Sequence, residues 1–326
     1  MRAVVVDPGA RPQDMRLAQV PDPEAGPGEV LLDVAATAVN RADLLQRRGR
    51  YPPPPGESEI LGLEAAGVVS GLGPGTQGWA VGDRAMALLA GGGYAERVAV
   101  PAGQLMPVPP AMSLTDATAI PEAFLTAWMS LRDLTRVRHG EVLLIHAAAS
   151  GVGTAAIQVG RELGARVFGT TRTAAKAEAI GRFGGEAICA PDGRFAETLR
   201  AATGGHGADA VLDLVGAALW PETLRSLAVG ARVSVIGLVG GARIELDLAT
   251  LMGLQAQIHV TSLRRRTRDE KAALVAGFRE WASPRLSDGR LAPVIHEVMP
   301  LEGVSAAHRL LEDDATVGKV VLRVRG

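Results

Sequence analysis

One junction in the sequence, between a short apolar segment and a run of small residues, constrains the fold of this chain more than any other feature. The segment Val142–Ile145 is uniformly apolar, as in a buried strand, and small residues occupy positions 147–151. An apolar pattern with helical spacing then continues to Gly164. This order predicts a strand, a tight turn and a helix, an arrangement that binds the pyrophosphate of a dinucleotide at the helix N-terminus.

The glycine pattern of this turn matches the dinucleotide-binding pattern G-x-G-x-x-G only in part. Ala148, Ser150 and Gly153 occupy the glycine positions, and Gly151 adds a further glycine. A tight turn without a ligand produces the same local pattern, so that alternative stays open at this point. The residues expected to hold a pyrophosphate are Ser150, Gly151, Val152 and Gly153.

Alternating strand and helix patterns follow the turn. Strands are predicted over 166–170, 210–213 and 232–237, and helical patterns separate them, including one over 174–183. This alternation is typical of an α/β fold with a doubly wound parallel sheet whose phosphate loop follows its first strand.

The segments on either side of this alternation predict a second domain. Before the turn, glycine and proline interrupt short strands, as in a compact and mostly β barrel, over 29–39, 65–72, 83–89 and 95–100. After residue 262 the expected elements are an amphipathic helix over 269–282, a helix over 303–312 and a strand over 319–324. The predicted domains are therefore 1–122, a nucleotide domain over 123–263, and a return to the first domain over 264–326.

Composition excludes several classes of protein. A net charge of −1 over 326 residues argues against a nucleic-acid or anionic-membrane surface as the main partner. The only cysteine, Cys189, excludes an internal disulfide and a multi-cysteine zinc site, and it is expected to be an ordinary core residue. No apolar run reaches the roughly 20 residues of a membrane span, and the N-terminus leads into a strand rather than a signal peptide. We therefore expect a cytoplasmic protein.

A proline-rich loop carries one of the two tyrosines. Four prolines at positions 52–55 follow Tyr51 and hold the backbone extended. One interpretation is a stiff surface loop on which Tyr51 packs. The other is a lip over a substrate cleft, where the Tyr51 hydroxyl aligns a carbonyl group.

Several segments together resemble the medium-chain dehydrogenase/reductase superfamily in its zinc-free quinone oxidoreductase branch. Besides the proline loop, the resemblance rests on segments 39–43, 60–67, 82–89, 119–123, 146–158, 260–264 and 318–322. It implies a GroES-like, mostly β barrel domain beside a Rossmann-type doubly wound parallel sheet domain.

The resemblance also implies an active site without a metal ion. Asn40 and Leu63 stand where the zinc alcohol dehydrogenases of the same superfamily carry a catalytic cysteine and a histidine. Reduction of a quinone or a similar conjugated carbonyl needs only a hydride delivered to an electrophilic carbon. Asn40 and Tyr51 are the expected catalytic residues, donating hydrogen bonds to the carbonyl oxygen. The alternative for Asn40 is a buried amide satisfied by the backbone, and Asp43 and Glu64 are expected to be internal hydrogen-bond partners.

The end of the second predicted strand indicates NADPH as the cofactor. About 20 residues past the phosphate loop there is no acidic residue to bind a ribose, and Arg172, Thr173 and Lys176 offer donors to a 2′-phosphate instead. A solvated basic loop is the alternative. Ala190 stands where relatives usually carry a tyrosine, which leaves the strictness of NADPH over NADH open.

Further contacts follow from the resemblance alone. Thr126 is expected near the nicotinamide carboxamide, and Val215, Gly216, Gly237 and Leu238 near the ring and ribose. Ser262 and Leu263 are expected to close over the nicotinamide, whereas Arg264 to Arg266 and Arg268 are interpreted as a solvated face. A homodimer through the nucleotide domain is also implied.

The expected function is NADPH-dependent, zinc-independent reduction of quinones or similar conjugated carbonyls. A 2-enoyl thioester or enone reductase of the same branch is one alternative. A protein of another class, which binds NADPH and acts as an RNA-binding or structural protein, is the other, and the near-neutral charge counts against RNA. The sequence does not identify the physiological acceptor, and it does not distinguish one-electron from two-electron transfer.

Overall fold

The computed structural model describes residues 1–325 and divides into two compact units. Unit 1 consists of Met1–Leu125 together with the chain from Leu263 onward, and unit 2 is Thr126–Ser262. The domain boundaries after residues 122 and 263 stay predictions from the sequence.

Strands predominate in unit 1, and strands and helices alternate along unit 2. The strands are β1 (Arg2–Val5), β2 (Arg16–Gln19), β3 (Glu29–Val39), β4 (Glu64–Leu72), β5 (Arg84–Leu88), β6 (Arg97–Pro101), β7 (Leu105–Pro107), β8 (Val142–Ile145), β9 (Arg166–Thr171), β10 (Glu186–Cys189), β11 (Ala208–Asp213), β12 (Leu227–Val235), β13 (Gln257–Val260), β14 (Ile295–Pro300) and β15 (Lys319–Arg323). The helices are α1 (Arg41–Arg47), α2 (Leu114–Ala117), α3 (Pro121–Trp128), α4 (Gly151–Glu162), α5 (Ala174–Arg182), α6 (Ala196–Ala202), α7 (Trp220–Ser226), α8 (Leu248–Leu254), α9 (Arg268–Ser287) and α10 (Val304–Glu312).

Unit 2 is built on a parallel sheet. Its six strands lie in the order β10-β9-β8-β11-β12-β13, so the chain winds outward from β8 in one direction and then in the other. All four residues of β8 are buried, which explains the uniform apolar run in the sequence. The reversal between β8 and β11 is the topological switch point at which sheets of this type bind ligands. The predicted Rossmann-type fold is confirmed.

The strands that the sequence does not predict in unit 2 lie at the two sheet edges. Both β10 and β13 have four residues, and most of their side chains are exposed or half-buried. Such strands show neither a continuous apolar run nor a regular alternation of apolar and polar residues, which are the two patterns that predict a strand. The expectation that Cys189 is a core residue is wrong for the same reason, because the side chain of Cys189 is exposed at the end of β10.

Unit 1 is built on a sheet of seven strands. The order is β14-β15-β3-β4-β5-β7, β6 also pairs with β3, and β1 and β2 form a separate antiparallel pair. The central strand β3 pairs antiparallel with β4, β6 and β15, so the C-terminal strand completes the sheet of the first domain. This sheet is the predicted GroES-like domain, and one buried apolar core spans β3, β4, β5, β15 and α10.

Within the described residues, none of the helices combines the length and the apolar character that a membrane span requires.

Candidate active site

The turn between β8 and α4 presents backbone N–H groups at the carboxyl edge of the unit 2 sheet. Ser150 caps α4, and its Oγ accepts a hydrogen bond of 3.1 Å from the N–H of Gly153. The first turn of a helix leaves N–H groups without intrahelical partners, and the helix dipole makes this end positive. An anionic phosphate fits this arrangement.

Small residues are required where this turn packs on the strand. A Cβ atom on Gly153 would lie 2.6 Å from the carbonyl oxygen of Ala147 and from backbone carbons of Ala148. Ala147 itself adopts a left-handed conformation with φ of 49°. Position 153 therefore requires glycine, because a side chain there would push α4 away from β8.

Donor groups follow the end of β9. Thr173 caps α5, with its hydroxyl accepting a hydrogen bond of 3.4 Å from the N–H of Lys176. Arg172 and Thr173 are exposed and Lys176 is half-buried, and no acidic residue lies between Thr170 and Lys176. A hydroxyl, a guanidinium and an ammonium group therefore lie just beyond the same sheet edge as the phosphate turn.

The loops after β11 and β12 pack closely against each other at this edge. Asp213 is fully buried, and its Oδ1 accepts hydrogen bonds from the N–H groups of Val215 at 2.8 Å and Gly216 at 2.9 Å. A Cβ on Gly216 would lie 2.6 Å from the carbonyl oxygen of Gly241, and one on Gly237 would lie 2.3 Å from a carbonyl oxygen of the neighbouring loop. Sequence reasoning missed Asp213, since a single acid at a strand end has no distinguishing pattern.

We call this set the nucleotide edge. It brings together most of the cofactor residues predicted from the sequence, namely Ser150, Gly151, Val152, Gly153, Arg172, Thr173, Lys176, Val215, Gly216, Gly237 and Leu238. Thr126 lies in α3 and is 7% exposed, Ser262 ends unit 2, and Leu263 is a buried residue of unit 1.

Asn40 belongs to a buried polar cluster in unit 1. It caps α1, and its amide nitrogen donates to the carbonyl oxygen of Ala38 at 3.2 Å and to Glu64 Oε1 at 3.0 Å. Lys319 Nζ donates to Asn40 Oδ1 at 2.5 Å, which fixes the orientation of the amide because an NH2 group would be repelled by the ammonium. Both amide hydrogens of Asn40 therefore already have acceptors within unit 1.

Lys319 and Glu64 form a buried ion pair beside Asn40. Lys319 Nζ lies 2.7 Å from Glu64 Oε1 and donates to the carbonyl oxygen of Val39 at 3.1 Å. Glu64 Oε2 accepts a hydrogen bond of 2.8 Å from the N–H of Glu122. Burial and the nearby Glu64 carboxylate raise the pKa of Glu122 to about 8, so that its carboxyl group is mostly protonated at neutral pH. We call Asn40, Glu64 and Lys319 the polar cluster.

The second tyrosine, Tyr94, is held inside unit 1. Its hydroxyl lies 3.2 Å from Asp43 Oδ2 and 3.1 Å from His308 Nε2, and the residue is fully buried. Asp43 also accepts hydrogen bonds from the N–H groups of Asn40 at 2.8 Å and Gly62 at 3.0 Å, and burial raises its pKa to about 6. Asp43, like Glu64, is thus an internal hydrogen-bond partner. Of the two tyrosines, only Tyr51 is not fully buried.

Tyr51 lies on the loop between α1 and β4 and is held by Arg264. The Arg264 guanidinium lies over the Tyr51 ring, 5.3 Å from its centroid, and donates to the Tyr51 carbonyl oxygen at 3.1 Å. It also donates to the carbonyl oxygen of Ala90 at 2.8 Å and to Gln46 Oε1 at 2.7 Å. Arg264 is only 3% exposed, so the interpretation of this arginine as part of a solvated face is wrong. A run of arginines gives no local sign of which member turns inward.

The donor set of the polar cluster does not fit a tetrahedral zinc ion. Zinc takes cysteine, histidine or carboxylate ligands, whereas here an ammonium group lies against the carboxylate of Glu64 and the amide of Asn40. Among residues 1–325, no group of three or more His, Cys, Asp and Glu side chains is placed to hold a metal ion.

Two family models match the sequence. One describes an alcohol dehydrogenase GroES-like domain over residues 26–110, and the other a zinc-binding dehydrogenase over residues 151–278. A curated relative, the mycocerosic acid synthase-like polyketide synthase of Mycobacterium tuberculosis, is 36% identical over 252 residues, or 76% of this chain. This chain spans only 12% of the length of that relative.

Solved structures match along almost the whole chain. An NAD-dependent alcohol dehydrogenase is 33% identical with a TM-score of 0.87, and the match covers 99% of this chain and 100% of that one. A mycobacterial quinone oxidoreductase, with a TM-score of 0.85, and a mycobacterial protein in complex with NADPH, with 0.88, are both 32% identical over 99% of this chain and 100% of theirs. The CurK enoyl reductase is 25% identical over 99% of this chain and 98% of its own, with a TM-score of 0.87.

Proposed function

This chain belongs to the medium-chain dehydrogenase/reductase superfamily, and we propose that it is an NADPH-dependent, zinc-independent reductase of quinones or similar conjugated carbonyls. The observation that carries this proposal is the polar cluster. At the position where zinc alcohol dehydrogenases carry a catalytic cysteine, Asn40 is hydrogen-bonded to a buried Lys319 and Glu64 pair. Oxidation of an alcohol needs a group that accepts its proton. The polar groups of Asn40, Glu64 and Lys319 are already paired with one another, so this cluster offers no such group.

The nucleotide edge fits the cofactor. We propose that Ser150, Gly151, Val152 and Gly153 hold its pyrophosphate, because the close backbone approach at Gly153 and the N-terminus of α4 suit a phosphate. Val215, Gly216, Gly237 and Leu238 would line the ribose and nicotinamide, and Thr126, Ser262 and Leu263 stay predicted contacts of the ring. A reduced nicotinamide supplies a hydride to an electrophilic carbon.

NADPH rather than NADH is proposed because of the groups that follow β9. Arg172, Thr173 and Lys176 offer donors to a 2′-phosphate, and no acidic side chain is present there to bind a ribose hydroxyl. Ala190 is buried and its N–H donates to the carbonyl oxygen of Thr171, so it adds no side-chain donor. The similar mycobacterial protein in complex with NADPH supports the same choice.

The residues of unit 1 would orient the acceptor. We assign the direct hydrogen bond to Tyr51, whose loop is fixed by Arg264 through the Tyr51 carbonyl oxygen and ring. Asn40 enters as a positioning residue, because its amide hydrogens are already donated to Ala38 and Glu64. After hydride transfer, water supplies the proton to the acceptor oxygen.

Reduction of a 2-enoyl thioester is the second candidate function. It is favoured by the similarity to the CurK enoyl reductase and to polyketide synthases. The two reactions share hydride delivery to a carbon conjugated with a carbonyl group and differ in the acceptor.

The test is oxidation of NADPH and NADH, followed by absorbance with EDTA present, against ortho- and para-quinones, an enone and an enoyl thioester. We expect chelator-resistant oxidation of NADPH with quinones, faster than with NADH. Turnover of the thioester alone would establish the second candidate instead. Clear NADPH binding without turnover of any acceptor would contradict both and favour a binding protein.

We also propose a homodimer through the edge strand β13. Among the described strands β13 pairs only with β12, and large apolar side chains nearby are exposed, with Leu248 at 68%, Met252 at 77% and Val260 at 72%. A second copy would cover this surface. Light scattering should give a dimer mass that Met252→Glu lowers and that Val81→Glu, at an exposed apolar residue of unit 1, leaves unchanged. A monomeric wild-type protein would contradict the proposal.

A further inference from the structure

Asp213 holds the loops that follow β11 and β12. It is the last residue of β11, at the carboxyl edge of the unit 2 sheet. Its Oδ1 accepts hydrogen bonds from the N–H groups of Val215 at 2.8 Å and Gly216 at 2.9 Å, so the side chain closes the turn after the strand. Its carbonyl oxygen accepts hydrogen bonds from the N–H groups of Ile236 at 2.9 Å and Gly237 at 3.3 Å. One residue therefore contacts the first residues of two neighbouring loops.

Further backbone hydrogen bonds join the two loops to each other. The N–H of Gly240 donates to the carbonyl oxygen of Val215 at 2.8 Å, and the N–H of Ala217 donates to the carbonyl oxygen of Gly241 at 3.0 Å. A Cβ atom on Gly216 would lie 2.6 Å from the same oxygen of Gly241. The position of one loop therefore depends on the position of the other, and a change in the turn after β11 would displace both.

The second carboxylate oxygen of Asp213 takes no part in this turn. Oδ2 is buried, and among the residues that the structure describes no group forms a hydrogen bond with it. Burial of a carboxylate oxygen without a donor is unfavourable. Asp213 thus orders the turn through Oδ1 at the expense of folding stability at Oδ2, a combination that is typical of residues in binding sites.

The sheet order places these loops on one side of the phosphate turn. The turn at Ser150 follows β8, and the donors Arg172 and Lys176 follow β9 on one side of it. The strands β11 and β12 lie on the other side. A dinucleotide crosses this switch point with its two nucleosides on opposite sides. Since the donors proposed for the 2′-phosphate follow β9, the loops after β11 and β12 face the nicotinamide half.

We propose that Asp213 is a positioning residue for the nicotinamide half of the cofactor. It would act through Val215, Gly216 and Gly237, which it holds in one arrangement. This inference rests on the proposed function, since it concerns the same cofactor site. A loop that is ordered before binding loses less conformational entropy when the ligand arrives, so removal of the carboxylate should weaken cofactor binding without any direct contact.

Calorimetric titration tests this role with NADPH and with 2′,5′-ADP, which lacks the nicotinamide and its ribose. Asp213→Ala removes both side-chain hydrogen bonds, so the Kd of NADPH should rise about tenfold or more. The Kd of 2′,5′-ADP should stay within about twofold of the wild type, because its phosphates are assigned to the turn after β8 and the residues after β9. A rise of the same size for both ligands, or no rise for NADPH, would overturn the proposal.

Asp209→Ala is the matched control. Asp209 lies in the same strand near the opposite edge of the sheet, and its Oδ2 accepts a hydrogen bond of 2.8 Å from the N–H of Val142. This change also removes a carboxylate that binds the backbone, so it should lower the melting temperature while the Kd of NADPH stays within about twofold. A tenfold rise in Kd in this variant would show that lost stability alone weakens the cofactor, which contradicts a positioning role.

Asp213→Asn separates the hydrogen bonds from the charge. The amide oxygen can accept the same two N–H groups, so this variant should bind NADPH within about threefold of the wild type. Thermal melts confirm that each variant is folded. An affinity as low as that of Asp213→Ala would mean that the negative charge acts on the cofactor directly, and the positioning role would be wrong.

Turnover separates this inference from the proposed function. NADPH binding that depends on Asp213, together with no oxidation of NADPH by any quinone, would keep the positioning role and refute the proposed reduction of quinones. Quinone turnover by the wild type, together with an unchanged Kd of NADPH in Asp213→Ala, would refute the positioning role alone.

Discussion

The nucleotide edge of unit 2 and the polar cluster of unit 1 are built from different parts of the polypeptide. The nucleotide edge uses backbone N–H groups and small residues that are neighbours in sequence, such as Ser150 and Gly153. The polar cluster uses side chains from distant segments, with Asn40 and Lys319 separated by 279 positions. The first depends on backbone shape, and the second depends on paired charges.

This difference determines how each region fails. An added side chain at the nucleotide edge separates two packed backbone segments. Removal of one partner of a buried ion pair leaves the other charge buried without compensation, which lowers the free energy of unfolding. Changes in the polar cluster should therefore cost more folding stability than changes at the nucleotide edge, which should act more on cofactor affinity.

The largest effect is expected from Lys319→Met. This change leaves the carboxylate of Glu64 and the amide oxygen of Asn40 buried without their partner. We expect the free energy of unfolding, measured by denaturant titration, to fall by about 3 to 5 kcal/mol. Arg166→Met, which breaks an ion pair with both side chains nearly half exposed, should cost about 1 kcal/mol or less. An equal fall in the free energy of unfolding in the two variants would contradict the expected difference between the buried and the exposed ion pair.

Gly153→Ala tests whether the nucleotide edge depends on close packing of the backbone. Its Cβ would lie 2.6 Å from backbone atoms, so the turn and α4 must separate. We expect a loss of about 2 kcal/mol of stability and a rise in the Kd of NADPH of at least tenfold. Gly181→Ala is the control, because a Cβ on this residue of α5 meets no atom within 4 Å. This change should stabilise the protein by up to about 1 kcal/mol. Unaltered NADPH affinity in Gly153→Ala would remove the turn from the site.

A third test uses pH, because the interior of unit 1 holds titratable groups. Burial, with the positive charges of Arg47 and Arg48, lowers the pKa of His308 to about 3. Below pH 6.5 the unfolded chain therefore binds a proton that the folded chain does not, and stability falls as pH decreases. This loss reaches about 2 kcal/mol at pH 5. Asp43, with its pKa raised to about 6, acts in the opposite direction between pH 3.8 and 6.

His308→Gln isolates the histidine contribution. Between pH 7.5 and pH 5 the variant should lose about 2 kcal/mol less stability than the wild type, measured by denaturant titration at both pH values. The same dependence in both proteins would mean that His308 keeps an ordinary pKa.

The smallest effect is expected at the exposed end of the nucleotide edge. Lys176→Met removes one proposed donor to the 2′-phosphate, and we expect the Kd of NADPH to rise about tenfold while that of NADH changes little. Fluorescence titration of both cofactors measures this ratio. Arg182→Met, at an exposed position of α5, is the control. A parallel change for both cofactors would contradict the 2′-phosphate assignment.

The sequence predicts the strand, turn and helix at the start of the nucleotide edge because their signals are local. The strand β8, the cap Ser150 and the glycines follow one another within a dozen residues, and each has a conformational reason to be there. The sequence does not predict the edge strands β10 and β13, because exposed side chains remove the apolar pattern on which such predictions depend.

The partners in unit 1 could not be predicted because they depend on tertiary pairing. Nothing near Lys319 indicates that it pairs with Glu64, and nothing in the arginine run distinguishes the buried Arg264 from its neighbours. Lys271 lies within a charged helical segment of ordinary appearance, and its burial follows only from what packs against α9. Charge burial is a property of the folded chain rather than of a segment.

The most direct test of the proposal that unit 1 orients the acceptor and unit 2 binds the cofactor is a pair of measurements on Tyr51→Phe. The variant keeps the ring beneath Arg264 and loses only the hydroxyl that we assign to the acceptor. We predict that kcat/KM for a quinone falls about tenfold or more, whereas the Kd of NADPH stays within about twofold of the wild type. Unchanged quinone turnover, or a loss of NADPH affinity equal to the loss of turnover, would contradict the assignment of the acceptor to unit 1 and of the cofactor to unit 2.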